Sequence, residues 1–383
     1  MIRNGVLVAL FGVWAVSLPS DLHAAQRALL VVGVVPLLRI GYQLWRKRIV
    51  TSRLLILGNG PIVSKLIEEL ESSPTPRYVL TGVLDNQPLR EGTRAAWLGR
   101  LDRLAAIVEQ VRADRIIVAL PDRRGQLPLV PLLESRVRGV AVEDALEFYE
   151  RLSGRMAIES LTPGSLISAP GFRNHGTPER VARVVSVGLA LLGLVVLAPL
   201  LAAIALAIRI DSNGPVLFIQ ERIGRDGRPF DLLKFRTMRP QKKRRSEWVK
   251  DNRDRITRVG AWLRRFRLDE LPQLVNIVRG EMNLVGPRPH PTCNQGTFME
   301  RIAYYGLRST VRPGVTGWAQ VRYGYANDIE EETEKMRYDL YYIKNRSLLL
   351  DLDILIRTVR IMLFGHGATT VLQENPVRGR IAA

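Results

Sequence analysis

Apolar positions are spaced in three distinct ways along this chain, and each spacing predicts a different kind of element. Two unbroken apolar runs come first, "GVLVALFGVWAVSLP" (5–19) and "ALLVVGVVPLLRIGYQLW" (28–45). The first is shorter than the roughly 20 residues a spanning helix needs. Arg3, this run and "HAA" at 23–25 also imitate the three regions of a signal peptide. The flanks favour a different reading. Arg3 precedes the first run, Arg46-Lys47-Arg48 follow the second, and the turn between them holds Pro19, Ser20 and Asp21. Since basic flanks mark the cytoplasmic side, residues 1–49 are expected to form a membrane helical hairpin with both ends in the cytoplasm.

After Arg53 the period changes. "RLLILGNGPIVSKLIEELESS" reads as a buried strand, a glycine turn and an amphipathic helix. Further strands are expected at 78–84, 115–120 and 139–144, with a helix at 101–112. Strands alternating with helices predict a Rossmann-like parallel α/β domain over 50–150. Gly58-Asn59-Gly60 could seat a pyrophosphate at a helix N-terminus. However, Val63 occupies the third glycine position of that fingerprint, and Asp85 lies beyond the usual spacing for a ribose contact. A purely structural turn is the expectation.

The third pattern is the longest. Val184 to Ile208 carries no charge and is long enough to cross a bilayer. Pro199 lies inside it, and an interior proline removes a backbone hydrogen bond and kinks a helix. Arg180 and Arg183 lie before the stretch and Arg209 after it, so both flanks carry the cytoplasmic signal. One crossing cannot satisfy both, whereas a helix that enters, bends at Pro199 and leaves on the same face can. A plain spanning helix with a proline kink stays open on these residues alone. Beyond it, "ERIGRDGRPFDLLKFRTM" has the Gly/Asp centre of a hairpin, and Lys242-Lys243-Arg244-Arg245 form a basic run expected to be a solvated loop.

Charge adds direction. The 383 residues carry 56 Lys plus Arg against 37 acids, a net +19. That balance points to phosphate-bearing partners. With 46% hydrophobic residues and a mean hydropathy of +0.02, it suits a lipid-associated protein better than a nucleic-acid binder, so no nucleic-acid partner is expected. A single Cys293 excludes an internal disulfide and a thiolate zinc cluster. Within this basic chain, "RLDELPQLVNIVRGEMNLVGPRP" (267–289) sets Asp269 beside Glu270 at the start of an apolar helix. Acids there are favoured as caps and by the helix dipole. The same dipole would keep Asp269 ionised and could hold a phosphate near it.

Together "ERIGRDGRPFDLLKFRTM", "RLDELPQLVNIVRGEMNLVGPRP", "VRPGVTGWAQV" and "YDLYYIKNRSLLLDLDIL" resemble the bacterial sugar transferases, the monotopic phosphoglycosyl transferases that act on polyprenyl phosphate. The likeness runs from about 178 to 365, and the exosortase-associated exopolysaccharide members are the nearest subgroup. It implies an α-rich transferase domain at 178–383 with a re-entrant helix at 180–209 broken at Pro199 and flanked by Arg180 and Arg183, following a linker at 151–177. It implies that Asp269 and Glu270 form a catalytic dyad in which Asp269 attacks the β-phosphorus of a UDP-sugar while Glu270 orients metal or moves a proton, that Mg²⁺ bound at Asp269 assists UMP release, and that polyprenyl phosphate takes the sugar phosphate in a second step. Lys234, Arg236, Arg264 and Arg288 would hold phosphates, Asp339 would support the site, and Arg312 and Gln320 would line it. Two positions depart from the family pattern. Val185-Ser186 stand where an acid is frequent, and Gly324 stands near where some members carry an arginine.

The expectation is therefore a bacterial inner-membrane enzyme, active at the cytoplasmic face beside membrane lipids, with a hairpin about half the four-helix bundle common in large members, and forming a homodimer. Two rivals are a membrane-anchored nucleotide-sensing or scaffold protein with an inactive transferase domain and an NAD-dependent sugar epimerase or dehydratase using residues 50–150. The second is weakened by Val63 and by the lack of a Y-x-x-x-K motif in that domain.

Overall fold

The computed structural model describes residues 52–364 apart from 73–76, 90–92, 122–124, 126, 162, 170, 173–175, 240–254, 325 and 327. The hairpin expected at 1–49 and the basic run Lys242–Arg245 lie outside the described residues. The chain divides between Ala145 and Leu146 into two compact units.

The first unit is a five-stranded parallel sheet in the order β3-β2-β1-β4-β5. Its strands are β1 (Ser52–Leu57), β2 (Tyr78–Leu84), β3 (Trp97–Gly99), β4 (Arg115–Val118) and β5 (Ala141–Asp144). Leu54, Leu55, Ile56 and Leu57 of β1 are all buried, as a strand covered on both faces requires. The order reverses between β1 and β4, where such folds commonly bind ligands. Here the chain itself occupies that place. Gly58 has φ +95°, and a Cβ on it would lie 2.8 Å from Leu120 Cδ2. A Cβ on Gly60 would lie 2.6 Å from the Ala119 carbonyl oxygen. These glycines admit the segment after β4, and Val63, 1% exposed, packs α1 (Pro61–Ser72) onto the sheet. Gly60→Ala should accordingly cost about 1–3 kcal/mol through overpacking. Thermal melting should register the loss while turnover below the transition is kept. A tenfold fall in turnover at an unchanged melting temperature would contradict this structural role.

The second unit is built around α2 (Gly176–Val196) and α3 (Ala198–Asp211). Among the described residues no single helix is long and apolar enough to cross a membrane, but these two pass together, bent by 64°. The break falls at Leu197, and Pro199 lies in the first turn of α3, where a missing N–H costs nothing. The expected interior kink is thus a break between two helices. Exposed Val184, Leu189, Leu192, Val195, Val196 and Leu206 stud this pair. Ser186, 5% exposed, receives a hydrogen bond from the Leu284 N–H at 3.2 Å, so the polar group at the family's acidic position is satisfied by backbone. Arg183 faces inward and donates to the carbonyls of Ile277 (2.6 Å) and Met282 (2.8 Å), whereas Arg180 is exposed.

An antiparallel hairpin of β6 (Leu217–Ile223) and β7 (Pro229–Phe235) follows, as its Gly/Asp centre predicts. Asp226 and Gly227 take φ of 56° and 75° in the turn. Two short parallel strands, β8 (Asn283–Val285) and β9 (Gly314–Thr316), sit so close that a Cβ on Gly314 would be 2.1 Å from the Gly286 nitrogen. The stretch expected as a linker enters this unit's core: Met156 and Ile158 are buried with Trp318, whose indole N–H donates to the Gly154 carbonyl at 2.7 Å.

Candidate active site

Three segments converge on the acid pair. The end of β7 supplies Lys234. The helix Arg258–Arg265, capped by Thr257, supplies Arg264, whose Nε donates to Thr237 Oγ1 at 2.9 Å. The loop Gly286–Pro289 supplies Arg288. Arg267 has φ +55°, a left-handed backbone rare for residues other than glycine. It turns the chain into the short 3₁₀ turn Leu268–Glu270, anchored by Leu268 and Leu271 against Ile204, Ile208, Phe235 and Leu263. A residue held in this conformation by its surroundings is a frequent mark of a functional site.

This corrects the capping expectation. The following α-helix, Gln273–Arg279, has Pro272 at its N-cap and no side-chain cap. Asp269 and Glu270 belong to the tighter turn before it, because Leu271-Pro272 separates them from the helix. Nor does a dipole lower the Asp269 carboxyl. Burial and the neighbouring Glu270 charge push it up, against the pull of Lys234, Arg264 and Arg288.

The two acids meet different surroundings. Glu270 Oε1 lies 2.8 Å from Arg288 Nη2 and 3.6 Å from Lys234 Nζ. Burial alone would raise its carboxyl, but Arg288 and Lys234 hold it well below the usual carboxylate range. Burial, helped by Arg288, pushes the Lys234 ammonium down to about 8. Asp269 is half-buried, and among the described residues no side chain donates a hydrogen bond to its carboxylate. One acid is thus committed to two cations, while the other is open to a reactant.

The remaining expected residues stand further out. Arg236 Nη2 donates to the Ser212 carbonyl at 2.6 Å and its hydroxyl at 2.9 Å, tying the end of α3 to β7. Asp339, 1% exposed, accepts from Arg308 Nε at 2.7 Å, and Arg308 Nη2 donates to the Arg288 carbonyl at 2.8 Å. Asp339 therefore reaches the site through Arg308. Gln320 donates to the Val315 carbonyl at 3.0 Å. Arg312 pairs with Glu179 at 3.0 Å and lines, with Arg225, Arg279 and Glu281, a cleft of about 610 Å³ that none of the acid pair and its cations borders. The structure thus brings Lys234, Arg264, Asp269, Glu270 and Arg288 together and leaves Arg312 apart. Sequence reasoning missed Arg308, His290 and Glu332, and only the nearness of Arg308 to "VRPG" could have drawn attention to it.

Among the described residues no cluster of three His, Cys, Asp or Glu could cage a metal. Mg²⁺ is commonly held by one or two carboxylates and substrate phosphates instead. The open Asp269 carboxylate fits that mode.

Comparison with known proteins accords with this geometry. Residues 177–365 match the bacterial sugar transferase family, and residues 9–127 match a family described as a CoA-binding domain. The chain is 35% identical over 305 residues to UDP-N-acetylgalactosamine-undecaprenyl-phosphate N-acetylgalactosaminephosphotransferase of Aeromonas hydrophila, covering 77% of this chain and 69% of the relative. It is 29% identical over 374 residues to UDP-glucose:undecaprenyl-phosphate glucose-1-phosphate transferase of Escherichia coli, covering 94% and 80%. The enzyme of the same description from Caulobacter vibrioides is 45% identical over 199 residues, covering 50% of this chain and 74% of that one. With the dyad, its cations and the bent apolar helix pair in place, the chain belongs to the bacterial sugar transferase family.

Proposed function

We propose that this protein transfers a sugar 1-phosphate from a UDP-sugar to undecaprenyl phosphate, releasing UMP and starting the assembly of an exopolysaccharide or other glycoconjugate. The observation that carries the reading is the division of labour in the dyad: Glu270 locked to Arg288 and Lys234, Asp269 open. An Asp269 oxygen attacks the β-phosphorus, the bond from that phosphorus to the UMP oxygen breaks, and an acyl phosphate carrying the sugar remains. An oxygen of the lipid phosphate then attacks the same phosphorus, the bond to Asp269 breaks, and the lipid-diphospho-sugar leaves. A carboxylate is a weak nucleophile toward a phosphate anion unless nearby charge is neutralised. Lys234, Arg264 and Arg288 supply that charge. Glu270, held ionised, keeps Arg288 and Lys234 aimed at the phosphates instead of moving a proton. Magnesium bound through Asp269 and the diphosphate would add charge neutralisation at the departing UMP.

UMP release by the full-length protein from a panel of UDP-sugars, with and without undecaprenyl phosphate, tests the reading and names the sugar. No release from any sugar, with lipid present, would refute it.

The membrane part of the proposal is that α2 and α3 enter and leave the inner leaflet of the inner membrane on the cytoplasmic side. The basis is the 64° bend, the exposed apolar side chains and the arginines on both flanks. Cys293 is exposed and must first be replaced by serine. Cysteines introduced at Pro178 and Asn213 should then both react with an impermeant thiol reagent only after the inner membrane is opened. Reaction of either from the periplasm would establish a full crossing.

A further inference from the structure

The loop carrying Arg288 has prolines at 287 and 289, so it lacks two backbone donors and must be held largely by its carbonyls. Four successive carbonyls each receive a donor. Pro287 takes the Gly314 N–H at 2.9 Å, Arg288 takes Arg308 Nη2 at 2.8 Å, Pro289 takes Arg222 Nη1 at 3.0 Å and His290 takes the Ile223 N–H at 2.9 Å. Two of the four donors are backbone and fixed by the fold. The one at Arg288 itself is a side chain, and that side chain is itself fixed on every side.

Arg308 is 7% exposed. Its Nε donates to Asp339 Oδ2 at 2.7 Å and its Nη1 approaches His290 Nδ1 at 2.6 Å. A guanidinium only donates, so Nδ1 of His290 accepts and its proton sits on Nε2, which faces Glu332 Oε1 at 3.2 Å. Glu332 in turn meets Lys335 at 3.0 Å. Burial and then Arg308 hold the histidine well below its ordinary pKa, so this arrangement keeps one protonation state across neutral pH. Burying two cations and two carboxylates is expensive and stabilises weakly compared with apolar packing. Such a cluster directly beneath a loop whose arginine grips Glu270 calls for a reason beyond stability.

We infer that Arg308 is a positioning residue of the transfer reaction: through the Arg288 carbonyl it fixes the backbone from which the Arg288 side chain reaches Glu270 and the substrate phosphates. It touches neither reactant itself. This rests on the proposed function, and goes beyond it in assigning a task to a residue outside the dyad and its cations.

The test uses the full-length protein with the UDP-sugar that the parent turns over, comparing Arg308→Lys, Arg308→Gln, Arg288→Lys and the double variant of Arg308→Lys with Arg288→Lys. Lysine keeps the charge beside Asp339 but cannot span the Asp339 carboxylate, His290 and the Arg288 carbonyl at once. Arg308→Lys should melt near the parent, yet lose about 10²-fold in kcat, the usual cost of a displacement near 1 Å in a catalytic group, with KM for the UDP-sugar little changed. In the Arg288→Lys background the same change should cost no more than about twofold, since independent sites would multiply. An unchanged kcat in Arg308→Lys, a loss that falls on KM instead of kcat, or losses that multiply in the double variant, would overturn the inference. So would loss of the fold in both Arg308 variants, which would make the arginine a structural element only. A parent that releases no UMP would defeat the proposed function, whereas an active parent beside an unaffected Arg308→Lys would defeat this inference alone.

Discussion

Asp269→Asn is expected to abolish both UMP release and lipid-linked product. An amide can occupy the same volume but cannot form the acyl phosphate, so the loss should exceed the ~10²–10⁴-fold that removing a general acid or base costs. The fold should survive. Among the described residues no side chain donates to the Asp269 carboxylate, and the turn that presents it is anchored by Leu268 and Leu271 instead. An unchanged melting temperature with no turnover is the expected pair of results. Residual UMP release within 10²-fold of the parent would move the nucleophile elsewhere, with Glu270 the first alternative.

The second large effect belongs to Arg288→Gln. Arg288 does three things: it makes the 2.8 Å contact to Glu270, holds the Glu270 carboxyl down, and helps push the Lys234 ammonium down. Losing one preorganised charge at a reacting phosphate typically costs ~10²–10³-fold, and here the partner acid is released as well. The pH dependence gives this variant a signature. Asp269, already pushed up by burial and the Glu270 charge, loses one of the cations that pull it down, so its carboxyl rises further and the acid limb of kcat/KM moves to higher pH, while the Glu270 carboxyl rises beneath it. Lys234 loses a repelling neighbour, so its ammonium rises from about 8 and the alkaline limb also moves to higher pH. Both limbs should therefore shift in the same direction. A profile lowered in height but fixed in position would show that Arg288 does not set the charge state of the pair.

Much of this architecture was legible in the sequence, and what was hidden has identifiable causes. Period and turn chemistry carry local information: the apolar run of β1, the amphipathic α1 and the Asp226-Gly227 turn appear where their patterns place them. The strand β3 has only three residues, Trp97–Gly99, too few to show a period. Pro199 announced the broken helix pair, yet the break itself sits at Leu197, because a proline is best accommodated just inside a new helix. The capping reading of Asp269 failed for a local reason: Pro272 starts the α-helix, so the acids fall in the turn before it.

Within the site, Lys234, Arg264, Asp269, Glu270 and Arg288 were found because short motifs carry them. Of the support beneath them only Asp339 was, because the rest is assembled from distant positions. Arg308 and His290 come from two other segments than the helix Ile329–Lys344 that carries Glu332 and Asp339, and nothing in the spacing of the three segments predicts that they meet. Arg312 shows the converse. It lies in a motif beside the loop, but its side chain turns away to Glu179 and the Gly280 carbonyl.

The central claim is that Asp269 becomes bonded to the phosphosugar, and trapping that species tests it most directly. The full-length protein would be incubated with UDP-sugar and magnesium but no lipid acceptor, quenched, digested and mapped by mass spectrometry. One phosphosugar per active site is expected on the peptide containing Asp269. It should be released by hydroxylamine, as an acyl phosphate is, and by undecaprenyl phosphate added before the quench. An intact overall reaction with no labelled peptide, or a label on a peptide lacking Asp269, would contradict the account.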